Sequence, residues 1–182
     1  MIYPIVLYGS PVLKKVAAPI DSSYPELSQL IDDMFKTMYK ADGVGLAAPQ
    51  IGLSIRVFVV DVSALGKEMP ECAGFKKVFI NPEILSSEGD LVAREEGCLS
   101  LPGISETVRR PESITIRYFD GQWNEHVETI HGFAARAVQH EYDHIDGHVF
   151  VDKISLIRKQ MIASKLSALS KGKVTCRYKT RS

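Results

Sequence analysis

The spacing of apolar and polar positions changes along the chain, and each change predicts an element. From Pro25 the apolar residues Leu27, Leu30, Ile31, Met34 and Met38 recur at helical spacing, which predicts an amphipathic helix with one buried stripe. Ser23 ahead of Pro25 supplies a start signal, and Gly43 after Ala41-Asp42 supplies a stop. Ile55 to Val62 is dense in β-branched residues and predicts a buried strand. Val78-Phe79-Ile80 before Asn81-Pro82 predicts a second, and Leu91 to Arg94 a short third. Ile114, Ile116 and Tyr118 alternate with Thr115 and Arg117, and Asp120-Gly121 turns the chain back toward Val127 to Ile130, the pattern of a hairpin. Helical spacing returns from about Gly132 to Asp146, closed by Gly147, and again from about Ser155 to Leu169, where Leu156, Ile157, Met161, Leu166 and Leu169 are apolar. Pro4, Pro11 and Pro19 make the first stretch an extended arm.

These elements predict an α+β fold in which antiparallel or mixed β-sheets pack around a central helix, with one helix toward the amino terminus and one toward the carboxy terminus. Residues 1–170 are expected to form a single domain and residues 171–182 a basic, frayed tail. The 182 residues, 45% hydrophobic, suffice for one core. No run approaches the roughly 18 apolar residues of a membrane span, and Met1-Ile2-Tyr3-Pro4 does not open a signal sequence. A cytoplasmic protein with neither membrane nor DNA as partner is expected. Three scattered cysteines, Cys72, Cys98 and Cys176, do not form a disulfide framework, so each is judged as a thiol or a ligand. The net charge of zero conceals a gradient, because residues 153–182 hold nine Lys or Arg and no acid. Such an end suits a polyanionic partner or simply a solvated tail.

The central predicted helix carries His140-Glu141-Tyr142-Asp143-His144. At about 3.6 residues per turn both imidazoles lie on one face and can reach one metal ion, while Glu141 can meet a water on it as general base. Phe133 and Ala137 share the histidine stripe, so the ligand face is also an apolar face. A catalytic site of this type takes three protein ligands. No Glu follows Glu141, and Phe150 stands where an extended motif would place a third histidine. Cys98, in a loop after Glu95-Glu96-Gly97, offers a soft thiolate; Asp146 and Asp152 remain open as alternatives. Asp143 or Gln139 is expected to orient a ligand. Gly43-Val44-Gly45-Leu46-Ala47-Ala48-Pro49-Gln50 leaves its backbone almost uncovered for a ligand to approach. It follows a predicted helix and precedes a predicted strand, the wrong order for a dinucleotide fingerprint.

Together Gly43 to Gln50, Glu96-Gly97-Cys98-Leu99-Ser100 and Gln139 to His144 resemble, in order and approximate spacing, the three signatures of the peptide deformylases. The resemblance extends to the proline-spaced arm, to Val108-Arg109-Arg110-Pro111 and to the last helix. It implies removal of the formyl group from the formyl-methionine of new proteins, with one Fe(II) per chain that Zn(II), Ni(II) or Co(II) can replace. Carried over, Cys98, His140 and His144 are the metal ligands and Glu141 is the general base. Gln50 and the Leu99 N–H stabilise the formyl oxygen, and Gly45 joins them at the reacting end. Gly43, Val44, Leu46, Gly97, Phe133, Ala137 and Arg109 are the substrate-binding candidates. Of these, Val44, Phe133 and Ala137 form the methionine pocket. Formyl-methionyl nascent peptides are the expected partners, and the basic end suits ribosomal RNA. Two competing readings are a zinc endopeptidase with an aspartate ligand and a non-catalytic ribosome-binding protein with a structural metal.

Overall fold

A computed structural model describes all residues, Met1–Ser182. Five strands form one antiparallel sheet in chain order: β2 (Gly45–Ala47), β3 (Val57–Asp61), β4 (Lys76–Gly97), β5 (Ser105–Phe119) and β6 (Glu125–His131). The apolar run of β3 is explained by burial on both faces. Val57 and Val59 join the core under helix α1 (Leu27–Lys40), while Phe58 and Val60 join the core under helix α2 (Gly132–Ile145). Successive side chains of a strand point to opposite faces, so a sheet covered on both sides leaves no polar positions in its centre. All five apolar positions predicted for α1 are buried. Its start differs from the expectation: Ser23 bonds to Asp21, and Glu26, in a left-handed conformation, occupies the cap.

The strands expected at Val78–Ile80 and Leu91–Arg94 are segments of a single 22-residue strand, β4. Register shifts at Ile80/Glu83, Ile84/Ser86 and Glu88/Leu91 interrupt its pairing with β5. Extra residues of this kind bend a strand and increase its twist. Asn81 sits at the first shift with φ +48, and its side chain accepts from Ile20 N–H at 3.0 Å and donates to Ile20 carbonyl at 2.6 Å. Sequence periodicity broke at these points, which is why one bent strand read as two.

Helix α2 follows directly from β6. The Glu71 carboxylate, 62 residues upstream, accepts the Phe133 N–H at 3.2 Å, placing an anion at the positive end of the helix. Ala134, Ala135, Ala137 and Val138 then pack on Phe58, Phe79, Ile114 and Ile116; short side chains let the helix lie close to the sheet. At the other end Gly147 has φ +81, and a Cβ there would stand 2.7 Å from the Lys14 carbonyl oxygen, so the arm and the helix end meet only because this residue is glycine.

A single helix over Ser155–Leu169 was expected, but there are two, α3 (Leu156–Met161) and α4 (Ala163–Ser170), broken at Ile162. Ile162, Leu166 and Leu169 enter a third core with Leu101, Val108 and Phe150, whereas Leu156, Ile157 and Met161 are exposed. The last residues pack back against the start of the chain. Strand β7 (Thr180–Arg181) pairs in parallel with β1 (Ile5–Val6), and the Arg181 guanidinium donates to the Ile51 carbonyl at 2.7 Å. No helix is long and apolar enough to cross a membrane.

Candidate metal centre

Helix α2 presents His140 and His144 one turn apart, with ring centroids 5.3 Å from each other. The end of β4 delivers Cys98 to the same point. One donor atom from each of Cys98, His140 and His144 lies within 4.8 Å of the other two, and Cys98 Sγ stands 3.3 Å from His144 Nε2. His140 Nδ1 bonds to Glu96 Oε1 at 2.9 Å, which leaves its Nε2 for a ligand. Two imidazoles and a thiolate are a donor set for a divalent transition ion. Glu141 Oε2 is buried beside the cluster without a hydrogen-bond partner, as befits a site whose polar atoms are completed by a bound group. These residues fit a metal ion. The aspartates weighed as ligands are occupied elsewhere: Asp146 binds Arg56 at 2.8 Å, and Asp152 accepts Lys159 and the Val149 N–H.

The partner that orients His140 is Glu96, not Asp143 or Gln139. Glu96 Oε2 accepts Arg110 Nε at 2.7 Å and Arg136 Nη1 at 2.6 Å, and Oε1 also accepts Arg110 Nη2 at 2.9 Å. Arg110 in turn donates to Asp143 at 2.8 Å, so Asp143 reaches the histidine only through two other side chains. Gln139 donates to the Pro111 and Ala135 carbonyls. Burial alone would raise the Glu96 pKa, but the bonds from Arg110 and His140 hold it well below the usual carboxylate range. Burial opposes a charge on His140, yet its bonds to Cys98 and Glu96 raise its pKa well above the usual histidine value. Burial together with the His140 charge lowers that of His144. Burial pushes Glu141 up to about 7 despite the attraction of His140 and Arg110.

A cavity of about 730 Å³ opens onto this cluster. Gly43, Val44 and Gly45 line one side, Gly97, Cys98 and Leu99 another, and Phe133, Ala137, His140 and Glu141 the helix side. Gly45 passes so close to Glu141 that any Cβ would overlap the carboxylate. Gln50 is fully buried at the cavity. Its Oε1 accepts the Ala47 N–H at 2.9 Å, which turns its Nε2 toward Cys98 Sγ at 3.4 Å and Ser100 Oγ at 3.2 Å. Leu46 and Arg109 do not line the cavity. Leu46 belongs to the core under α1, and Arg109 is exposed on β5, where alternation turns its neighbour Arg110 inward instead. Sequence reasoning missed Glu96 as a positioning group and Arg110 and Arg136 as its partners. The one signal was an acid two residues before the cysteine. It also missed Thr175–Tyr178, which reach the cavity from the end of the chain.

An α+β scaffold that converges a cysteine and two helical histidines beside a buried acid defines a metallohydrolase. The family model described as Polypeptide deformylase matches residues 2–160. The peptide deformylase of Christiangramia forsetii is 50% identical over 100% of this chain and 96% of its own length, and that of Cytophaga hutchinsonii is 49% identical over 100% and 97%. The crystal structure of peptide deformylase from Thermus thermophilus superposes with a TM-score of 0.83 at 41% identity, covering 94% of this chain and 99% of that one. The chain belongs to the polypeptide deformylase family.

Proposed function

We propose that the chain removes the formyl group from the formyl-methionine at the start of newly made proteins, releasing formate, and that Cys98, His140 and His144 hold the ion it needs. The observation that carries this reading is the convergence of those three donors beside Glu141 at one end of a peptide-sized cavity, in a member of this family. A divalent ion held there acidifies water and polarises a carbonyl. We take it to be Fe(II), with Zn(II), Ni(II) or Co(II) able to replace it, since the donor set suits all four.

Glu141 takes the proton of the attacking water and returns it to the leaving amine, so water and formamide become formate and a free amino terminus. The Gln50 amide and the Leu99 N–H donate to the formyl oxygen as it gains charge, each contributing on the order of 3 kcal/mol to the barrier. The Gln50 amide is prealigned by Ala47. Val44, Phe133 and Ala137 receive the methionine side chain. β2 is an edge strand of the sheet, which supports a peptide adding along Gly43–Leu46, with Gly97–Leu99 on its other side; backbone pairing tolerates any downstream sequence. Lys159, Lys165, Lys171 and Arg177 meet ribosomal RNA phosphates in this reading, and salt-insensitive ribosome binding would remove them from it.

The test is formate release from formyl-Met-Ala-Ser by protein purified without oxygen, with elemental analysis of the same sample. Glu141→Ala is expected to keep its metal and lose nearly all turnover; substantial residual activity would take Glu141 out of this role. Cys98→Ser is expected to lose metal and activity together. Indifference to that change, with cleavage of casein, would restore the endopeptidase reading.

A further inference from the structure

Residues Thr175–Tyr178 line the cleft although they come from the far end of the chain and lie beyond the stretch matched by the family model. Two side-chain anchors hold this strap, and each falls on or next to a cleft residue. Arg181 donates to the carbonyl of Ile51, the residue after Gln50, and the Tyr178 hydroxyl donates to the carbonyl of Leu99 at 2.7 Å. Pairing of β7 with β1 fixes the strap's end.

The loop after β4 is held by its carbonyls. Cys98 carbonyl accepts the Leu101 N–H at 3.0 Å, Ser100 carbonyl accepts the Tyr8 N–H at 2.9 Å, and Leu99 carbonyl accepts Tyr178. The Leu99 N–H, by contrast, donates to no acceptor in the protein. A turn, the amino-terminal arm and the strap thus each immobilise one carbonyl of three consecutive residues, around an N–H left free beside the cavity. Tyr178 is half-buried, and its phenol is raised above the ordinary tyrosine value by burial, so it remains a donor across the working pH range.

We propose that Tyr178 is a positioning residue for the cleft: its hydroxyl fixes the Leu99 backbone, and the strap Thr175–Tyr178 is therefore a working wall of the site and not a loose end. The proposal rests on the reading of Leu99 as a donor to the formyl oxygen. A donor preorganised for charge that develops in the transition state acts on turnover more than on substrate binding, and small misplacements of such groups are costly.

The experiment is Tyr178→Phe, which removes one oxygen and keeps the ring, measured on metal-loaded full-length protein. Formate release from formyl-Met-Ala-Ser should show kcat lowered roughly tenfold with KM changed less than about twofold. Amide hydrogen exchange should quicken in residues 97–101 and be unchanged over α2, with metal content unaltered and the melting temperature lowered by no more than roughly 4 °C. Wild-type kcat together with wild-type exchange at 97–101 overturns the proposal. So does a loss of kcat accompanied by faster exchange throughout the protein, the mark of a merely structural role. If the wild-type protein releases no formate, the deformylase reading fails by itself, and exchange at 97–101 still decides whether Tyr178 holds the loop.

Discussion

Two Arg–Glu pairs sit on the same hairpin and use the same chemistry to different ends. Glu83 and Arg117 are directly opposite one another in the β4–β5 register and form an ion pair on the surface of the sheet, with side chains 57% and 46% exposed. Glu96 and Arg110 lie near the other end, where their side chains are 6% and 3% exposed. There the acid serves three partners at once, Arg110, Arg136 and His140. A strand ladder alone supplies the first pair. The second is joined to Arg136 and His140 only because α2 packs against the end of β4. In water the first pair is screened and contributes little. In the interior each partner depends on the others, since any one left alone is a buried uncompensated charge. The centre is thus held by a cluster that is expensive to break and that fixes the ring orientation of a metal-binding histidine.

Three substitutions probe this contrast. The largest effect is expected from Glu96→Ala, which leaves the buried Arg136 guanidinium and His140 without their carboxylate and Arg110 with Asp143 alone. A loss of about 3–5 kcal/mol in urea unfolding is expected, with metal affinity falling roughly 10- to 100-fold; a loss below about 1 kcal/mol would mean that the cluster rearranges freely and the contrast is false. Arg136→Met should be intermediate. Glu96 keeps Arg110 and His140, but the carbonyls of Val108 and Val92 lose the donor they share, for about 1–3 kcal/mol. Arg117→Ala should be the smallest, at about 0–1 kcal/mol and with turnover unchanged. If it matched Glu96→Ala, burial would not be the variable that separates the two pairs.

The same contrast explains what could be read before the fold was known. Helical spacing set His140 and His144 one turn apart on one face, as α2 presents them, because that relation is local, set by the pitch of a helix. The five buried positions of α1 and the hairpin into β6 were legible for the same reason. Cys98 was reachable as a soft residue in an acidic, glycine-bearing loop, and Gly45 and Gln50 as parts of a loop with little side-chain cover. The role of Glu96 was hinted at only by its place two residues before Cys98; that it turns inward while Glu95 is exposed depends on the pleat of β4. Arg109 and Arg110 are likewise adjacent and identical, and only the pleat of β5 decides which one turns toward Glu96.

The chain's order of residues therefore determined by itself the ligand helix, the buried strand that became β3 and the chemical type of the site, because helix pitch and strand alternation are properties of short segments. Tertiary structure alone decided which acid orients His140, that β4 runs unbroken through three register shifts, and that the last residues return to Leu99 and Ile51. Each of these joins groups dozens of residues apart, where the outcome depends on which buried charges and carbonyls are left to be satisfied once the cores have closed.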